Sequence, residues 1–248
     1  MAAITLLSTH GLTRHFGGLR AVDAVDFELI DGEIHALIGP NGAGKTTFVS
    51  LLSGRVEPQA GRIIFAGEDI TSNPAHQRVK KGIAYTFQIT SIYRNLSVFE
   101  NVELAAQTGA KRSHSGDKPL SIEQRVTQAL THVGLLERRD ETAGELAYGH
   151  QRLLEVAMGL ALEPRLLILD EPTQGLSDRE IEDICQLIKT ISTQVTVLLI
   201  EHNMPVVMKV ADRITVLNAG QILATGTPSA IRANPEVQRA YLGGSSDA

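Results

Sequence analysis

Residues 34–49 read IHALIGPNGAGKTTFV, and Gly39 to Thr46 fit the pattern G-x-x-x-x-G-K-[ST] directly behind an apolar run. That pattern in that context points to a phosphate-binding loop between a buried strand and a helix. Glycines let the backbone curl until successive N–H groups converge on an anion, and the following helix turns its positive N-terminal end to the same point. Lys45 is then placed to reach the β- and γ-phosphates of a nucleotide, Thr46 to ligate Mg²⁺ through its hydroxyl, and Thr47 to help with the α-phosphate. The competing reading is a glycine turn beside a surface lysine, and the strand in front of the motif argues against it.

The remaining chain can be read outward from this loop. Ile4 to Thr13 and Ala24 to Leu29 alternate loosely, as half-buried antiparallel strands do, with Phe16-Gly17-Gly18 as the turn between them. Phe16 could stack on an adenine ring; a lone aromatic is also a candidate core residue. Asp31-Gly32 turns the chain into the strand before the loop. The loop's helix runs from Lys45 to Ser53 and stops at Gly54. Gly61 to Gly67 reads as a strand and turn, Pro74 to Lys81 as a short helix, and Gly82 to Gln88 as a strand ending in a polar amide.

The character changes after Ser97. Ser97-Val98-Phe99-Glu100 resembles a helix N-cap with an acid at the third position, opening a helix toward Gln107, and Ser121 to Val133 has a second helical spacing. GAKRSHSGDKP between them is polar and loop-like, and His114 and His132 lack ligand spacing and read as surface histidines. LAYGHQ, from Leu146 to Gln151, opens an apolar helix from about Arg152 to Leu162. After Pro164, Leu166-Leu-Ile-Leu-Asp170-Glu171 is a buried strand that delivers two carboxylates at its C-terminal end, where parallel strands place functional groups. Beside a phosphate loop, Asp170 reads as a metal ligand; alone, the pair reads equally well as an acidic turn. Then come a helix from Asp178 to Ser192, a strand from Val195 to Ile200 ending at Glu201-His202, strands from Arg213 to Leu217 and Gln221 to Ala224, and helices after Pro228 and from Pro235.

The 248 residues, 43% apolar, suffice for one sizeable core with or without a small satellite. With 23 basic and 28 acidic residues, a net charge of −5 gives no electrostatic reason to expect nucleic acid as a partner. Cys185 is the single cysteine, among Ile181, Ile184 and Ile188, and reads as a packing residue. The N-terminus lacks the basic region of a signal peptide, and no apolar run approaches the ~18 residues of a spanning helix. The expectation is a soluble, cytoplasmic chain that reaches a membrane only through a partner.

Taken together, Phe16, GPNGAGKTT, Gln88, LAYGHQ, LLILDEPT, GLSD and His202 resemble, in that order, the ATPase subunits of ATP-binding-cassette (ABC) transporters, over about Leu6 to Leu242. TFQ, the tyrosine of LAYGHQ, DEPTQGLS and NPEVQRAYLG look more narrowly like the importers of branched-chain amino acids and their urea and amide relatives. The resemblance implies an α/β fold with a mostly parallel P-loop NTPase core. An antiparallel β subdomain would share about 4–88 and 165–226 with that core, and a helical subdomain would be inserted at about 89–164. The whole of 4–242 would be one ATPase domain, with 243–248 a disordered tail.

It also implies roles. Phe16 stacks on adenine. Gly39, Pro40, Asn41, Gly42, Ala43, Gly44, Lys45, Thr46 and Thr47 hold the triphosphate of ATP. Thr46, Gln88 and Asp170 serve Mg²⁺, Glu171 orients or deprotonates the attacking water, and Gln88 and His202 sense the γ-phosphate. Ala147, Tyr148, Gly149 and His150 serve the nucleotide of an opposing ATPase subunit, identical or not, bound head to tail. Two membrane permease subunits and, indirectly, an extracytoplasmic solute-binding protein complete the assembly on the cytoplasmic face of the membrane.

Two departures stand out. Ala147 replaces the serine of the family's LSGGQ, which removes one hydrogen bond to a charged acceptor, about 1.5–3 kcal/mol if nothing replaces it. Ser177 stands where an aspartate is usual, with Asp178 one place later. Ile89 to Phe99, with Tyr93 and Leu96 as anchors, reads either as part of the groove for a permease helix or as packing inside the helical subdomain. Export of lipid or polysaccharide, and a soluble cassette acting on a macromolecular assembly, are the alternative functions.

Overall fold

The computed structural model describes residues 4–86, 91–109 and 120–242. Expectations for Gln88, Ile89, His114 and 243–248 lie outside the described residues. The chain divides into two compact units, Met1–Arg78 with Thr196–Ala248, and Val79–Val195. In chain order the elements are β1 (Thr5–Phe16), β2 (Leu19–Ile30), β3 (Ile34–Ile38), α1 (Lys45–Leu52), β4 (Ala60–Phe65), β5 (Glu68–Asp69) and α2 (Ala75–Lys81). Then follow β6 (Ile83–Thr86), α3 (Val98–Gly109), α4 (Ile122–His132), α5 (Tyr148–Ala161), β7 (Leu166–Asp170) and α6 (Asp178–Ile191). The last are β8 (Thr196–Ile200), α7 (Met204–Val210), β9 (Arg213–Asn218), β10 (Gln221–Gly226), α8 (Pro228–Ala233) and α9 (Pro235–Leu242).

In the first unit, an antiparallel sheet runs in the order β2-β1-β4-β5. The loose alternation of its first two strands has a cause: register shifts between Thr5 and Leu7 and between Thr9 and Leu12 reset the phase, so Leu6 and Leu7 are both buried. β3 lies between β8 and β9 and is parallel to both, and β10 returns antiparallel along β9. Every residue of β3 and β8 is buried, as strands covered on both faces require. Parallel pairing brings the C-terminal ends of β3 and β8 to the same side, so the loop at Gly39 and the pair Glu201-His202 leave the sheet there.

α1 ends as expected, with Ser53 as cap and Gly54 at φ +75. Its last carbonyls are met by Arg78, which is 1% exposed and donates to Leu51 O (2.6 Å) and Leu52 O (2.9 Å). On β3, His35 is fully buried between Glu33 and Thr215. Its Nδ1 lies 2.9 Å from Glu33 Oε1 and 3.3 Å from Arg213 Nε, and its Nε2 lies 2.8 Å from the Thr215 hydroxyl.

In the second unit, β6 pairs parallel with β7, and α3, α4 and α5 pack on one another. Ser97 and Glu100 form the capping box anticipated for α3, and Ser121 with Gln124 forms another for α4. Cys185 is 1% exposed on the buried face of α6 beside Ile184 and Ile188. α5 starts at Tyr148 rather than near Arg152, because Gln151 is already helical: its N–H donates to Ala147 O, and its side chain donates to Leu146 O. α7 is absent from the sequence reading. Its VVMKV core looks like a strand, yet Asn203 caps it by accepting from Val206 N–H and Pro205 sits in its first turn. The result is an α/β fold with parallel strands leading to the functional loops, a separate antiparallel sheet and a helical section. No helix among the described residues is long and apolar enough to cross a membrane.

Candidate functional site

The phosphate loop connects β3 to α1. Its N-cap, Gly44, has φ +101 and offers no side chain to the helix, and no acid stands in the first turn of α1. The first amides of the helix are therefore left to backbone geometry, the condition for an anion site. Two glycines are required by close approach: a Cβ on Gly39 would come within 2.2 Å of Leu217 O, and one on Gly44 within 2.0 Å of Ala21 O. The loop is thus braced from behind by the end of β9 and the start of β2. Gly220, at φ +81, ties the two together, donating to Ala43 O (3.0 Å) and accepting from Asp23 N–H (2.9 Å). The letters at Ala219-Gly220 show only a turn between two strands; nothing in them shows that it supports the phosphate loop far earlier in the chain.

Lys45 is 8% exposed and donates to Gly39 O (2.7 Å) and Pro40 O (3.1 Å), curled over the loop that it heads. Asn41, Gly42 and Thr46 are exposed, Pro40 and Thr47 are half-buried, and Ala43 is buried. Phe16 closes β1 opposite Leu19 and is 46% exposed, so the core reading of this ring fails. The Arg14 guanidinium carbon lies over the Phe16 ring, 4.8 Å from its centroid. His202 is exposed just beyond β8, and its N–H and that of Asn203 donate to the fully buried Glu201.

In the second unit, Asp170 ends the fully buried β7, and Tyr85 on β6 donates its hydroxyl to Asp170 Oδ2 at 2.5 Å. Glu171, half-buried, takes φ +48, a left-handed conformation that non-glycine residues hold at a cost of about 1–3 kcal/mol and that clusters at functional sites. Tyr85 was missed in sequence although it lies in the strand anticipated from Gly82 to Gln88. The carboxylate of Asp170 and the hydroxyl of Thr46 are both hard oxygen donors, the kind that Mg²⁺ takes.

LAYGHQ forms the head of α5. Ala147 is its N-cap without a side-chain bond, Tyr148 is 44% exposed, Gly149 is buried and His150 half-buried. Tyr148, the residue that replaces a glycine of LSGGQ, fits against another glycine: a Cβ on Gly175 would lie 3.2 Å from Tyr148 Cε1. A Cβ on Gly149 would come within 2.2 Å of Glu180 Oε1. Ser177 caps α6, its hydroxyl and N–H both donating to Glu180 Oε2 (2.6 and 2.9 Å). These bonds, the hydroxyl's first, hold the Glu180 carboxyl below its ordinary range. Tyr93 is 58% exposed while its backbone is clamped by the buried Asn101, which accepts from Tyr93 N–H (2.7 Å) and donates to Tyr93 O (3.1 Å).

Comparison with known proteins places the chain in a family. Residues 22–174 match the family model described as ABC transporter, and residues 221–247 match that of the branched-chain amino acid ATP-binding cassette transporter. The chain is 42% identical to the high-affinity branched-chain amino acid transport ATP-binding protein LivG of Escherichia coli (strain K12), over 96% of this chain and 98% of the relative. It is 32% identical to the lipopolysaccharide export system ATP-binding protein LptB of Haemophilus influenzae, over 97% and 98%. The ADP conformation of MJ1267, an ATP-binding cassette of an ABC transporter, superposes with a TM-score of 0.85 at 27% identity, covering 97% of this chain and 99% of that one. With its phosphate loop, its paired carboxylates at the end of β7 and LAYGHQ at the head of α5, the chain belongs to the ATP-hydrolysing subunits of ABC transporters.

Proposed function

We propose that this chain powers an importer of branched-chain amino acids or a related small solute such as urea or an amide. One observation carries the substrate class: the match of residues 221–247 to the branched-chain amino acid cassettes. We take 4–242 as one ATPase domain, with core and β subdomain at about 4–88 and 165–226 and helical subdomain at about 89–164. It would sit peripherally on the cytoplasmic face of the membrane with two permease subunits, a second cassette ATPase and, indirectly, a solute-binding protein.

In this reading ATP stacks its base on the exposed ring of Phe16, and its phosphates enter the loop from Gly39 to Thr47. Lys45 exchanges its bonds to the Gly39 and Pro40 carbonyls for phosphate oxygens, so its charge is already desolvated and aimed. Thr46, Gln88 and Asp170 would hold Mg²⁺, and Tyr85 fixes the Asp170 carboxylate. When bound, the ion neutralises charge that develops on the phosphate oxygens. Glu171 orients the water; His202 and Gln88 bond the γ-phosphate. The head of α5, from Ala147 to His150, presents amides to the nucleotide of the opposing subunit. Whatever favours the closed pair, a permease included, must then raise ATP affinity by the same factor.

The identity to LptB supports a second reading, the ATPase of a lipid or polysaccharide exporter. Copurification from gently solubilised membranes separates the two. Permeases with a second cassette and an extracytoplasmic amino acid-binding protein are expected. Recovery with lipid-exporter subunits instead would replace the proposed reading with export.

A further inference from the structure

The backbone turn at Glu171 is not held by its own strand alone. Glu171 O accepts from Gln174 N–H at 3.2 Å and from Arg152 Nη2 at 2.8 Å. Arg152, on the second turn of α5, is 3% exposed and uses its other terminal nitrogen, Nη1, to bond Glu155 Oε2 at 2.9 Å. Glu155 is 6% exposed, and its second oxygen accepts the N–H of Ser91 at 2.5 Å. Burial pushes the Glu155 carboxyl up; the Ser91 amide and Arg152 work the other way. The guanidinium therefore splints two elements, with its planar fork between a carbonyl after β7 and a carboxylate on its own helix, and the carboxylate extends the splint to the chain three residues past Gln88.

A buried ion pair is a poor device for stability, because desolvation consumes most of what the pairing returns. It is a good device for fixing geometry, and the geometry here belongs to a residue in a left-handed conformation that its surroundings must enforce. Resting on the reading of Glu171 as the water-orienting carboxylate, we propose that Arg152 and Glu155 are positioning residues for hydrolysis. Arg152 fixes the backbone from which Glu171 projects, and Glu155 couples that backbone to Ser91, so a displacement at Ser91 changes the aim of the Glu171 carboxylate.

The test uses the purified full chain with Arg152→Lys and Glu155→Gln, each alone and combined with Glu171→Gln, whose residual turnover is followed over hours. Lysine keeps the charge but cannot span two acceptors with a rigid fork. Each single variant should lower kcat by about tenfold or more, as a misplacement near 1 Å does, with KM, nucleotide affinity and unfolding midpoint nearly unchanged. In the Glu171→Gln background neither should lower turnover further, since residues acting through one group are not additive. Equal fold losses in both backgrounds, or a loss of turnover that tracks the unfolding midpoint and nucleotide affinity, would overturn the positioning role alone. Full turnover in Glu171→Gln itself would remove the reading of Glu171 and the proposal with it.

Discussion

Replacing Arg78 by Met should destabilise the first unit without touching a phosphate contact. The guanidinium makes four bonds to backbone carbonyls: Leu51 O (2.6 Å), Leu52 O and Thr71 O (both 2.9 Å), and Asn73 O (2.8 Å). Burial pushes its pKa down to about 10, because the charge is taken out of water; the carbonyl dipoles work the other way and favour the charged form. A buried carbonyl left without a donor costs about 1–3 kcal/mol. Leu51 O keeps the Gly54 N–H as a donor (3.2 Å), so three carbonyls are orphaned; at the lower end they cost about 3 kcal/mol, relief from burying a charge returns part of it, and the net loss is about 1–3 kcal/mol. Unpaired carbonyls win because methionine fills the volume but donates nothing. Arg78→Lys, with one point donor in place of a fork, should fall between. Urea unfolding followed by far-UV circular dichroism reads the shift; a common slope shows that the comparison is of stability alone. Nucleotide affinity should stay within about threefold, because the N-terminal end of α1 keeps its bracing. An Arg78→Met midpoint equal to that of the parent chain would mean that these carbonyls find other donors, and the capping argument would be wrong.

Three further outcomes follow from the same contacts. Gly44→Ala should weaken nucleotide binding at least about tenfold, since strain at φ +101 is joined by the overlap with Ala21 O, whereas Gly42→Ala, at φ +80 in open space, carries strain alone and should lose less; equal losses in a calorimetric titration would remove the close-approach argument. Arg14→Ala should weaken ATP by about two- to fivefold, the value of an exposed cation–π contact supporting Phe16, and leave inorganic triphosphate binding unchanged; a matching loss for triphosphate would show that Arg14 serves the loop instead. Acid should destabilise the fold in two steps. Burial lowers the His35 pKa, so the unfolded chain takes up a proton near pH 6.5 that the folded chain refuses, and stability drops as pH falls from there toward the depressed folded value. For Glu33, burial works upward but is outweighed by bonds from His35 and Ile30 N–H and by the Arg213 charge, so its contribution is lost as pH falls below 4.5. Thermal midpoints of His35→Gln should stay flat through the first step; an unchanged slope would assign the loss elsewhere.

What could be read from the letters was local. The loop at Gly39, the strand ending at Asp170 and the cap at Ser97 each depend on neighbours a few residues away, and each was placed. Two helix assignments erred for opposite reasons. α5 begins at Tyr148 because Gln151 bonds back to Leu146 O and Ala147 O and Gly149 is buried against Glu180, against the weak helix propensity of Tyr-Gly-His. α7 is helical although Val206, Val207 and Val210 prefer strands, because Asn203 and Pro205 set its first turn. The braces were invisible for another reason: Leu217 behind Gly39, Ala21 behind Gly44 and Arg78 under α1 meet their partners across distances that no spacing rule encodes.

The departures from the family pattern make sense as a matched set. Tyr148 replaces a glycine of LSGGQ, and the ring needs room; Gly175, at φ +76, supplies it in the loop after β7, where any side chain would meet the ring at 3.2 Å. Gly149 keeps its place because the Glu180 carboxylate stands against it, and that carboxylate is held there by Ser177, the residue found where an aspartate is usual. An aspartate at 177 would set a second negative charge against Glu180 at the same cap, and the hydroxyl avoids that repulsion. Ala147 then leaves the head of α5 with no side-chain acceptor competing for its first amides, so an anion there is met by backbone donors and the helix end. The hydroxyl missing from position 147 removes a donor but also a self-cap, and what is lost in one bond is partly returned by amides that no longer have a partner of their own.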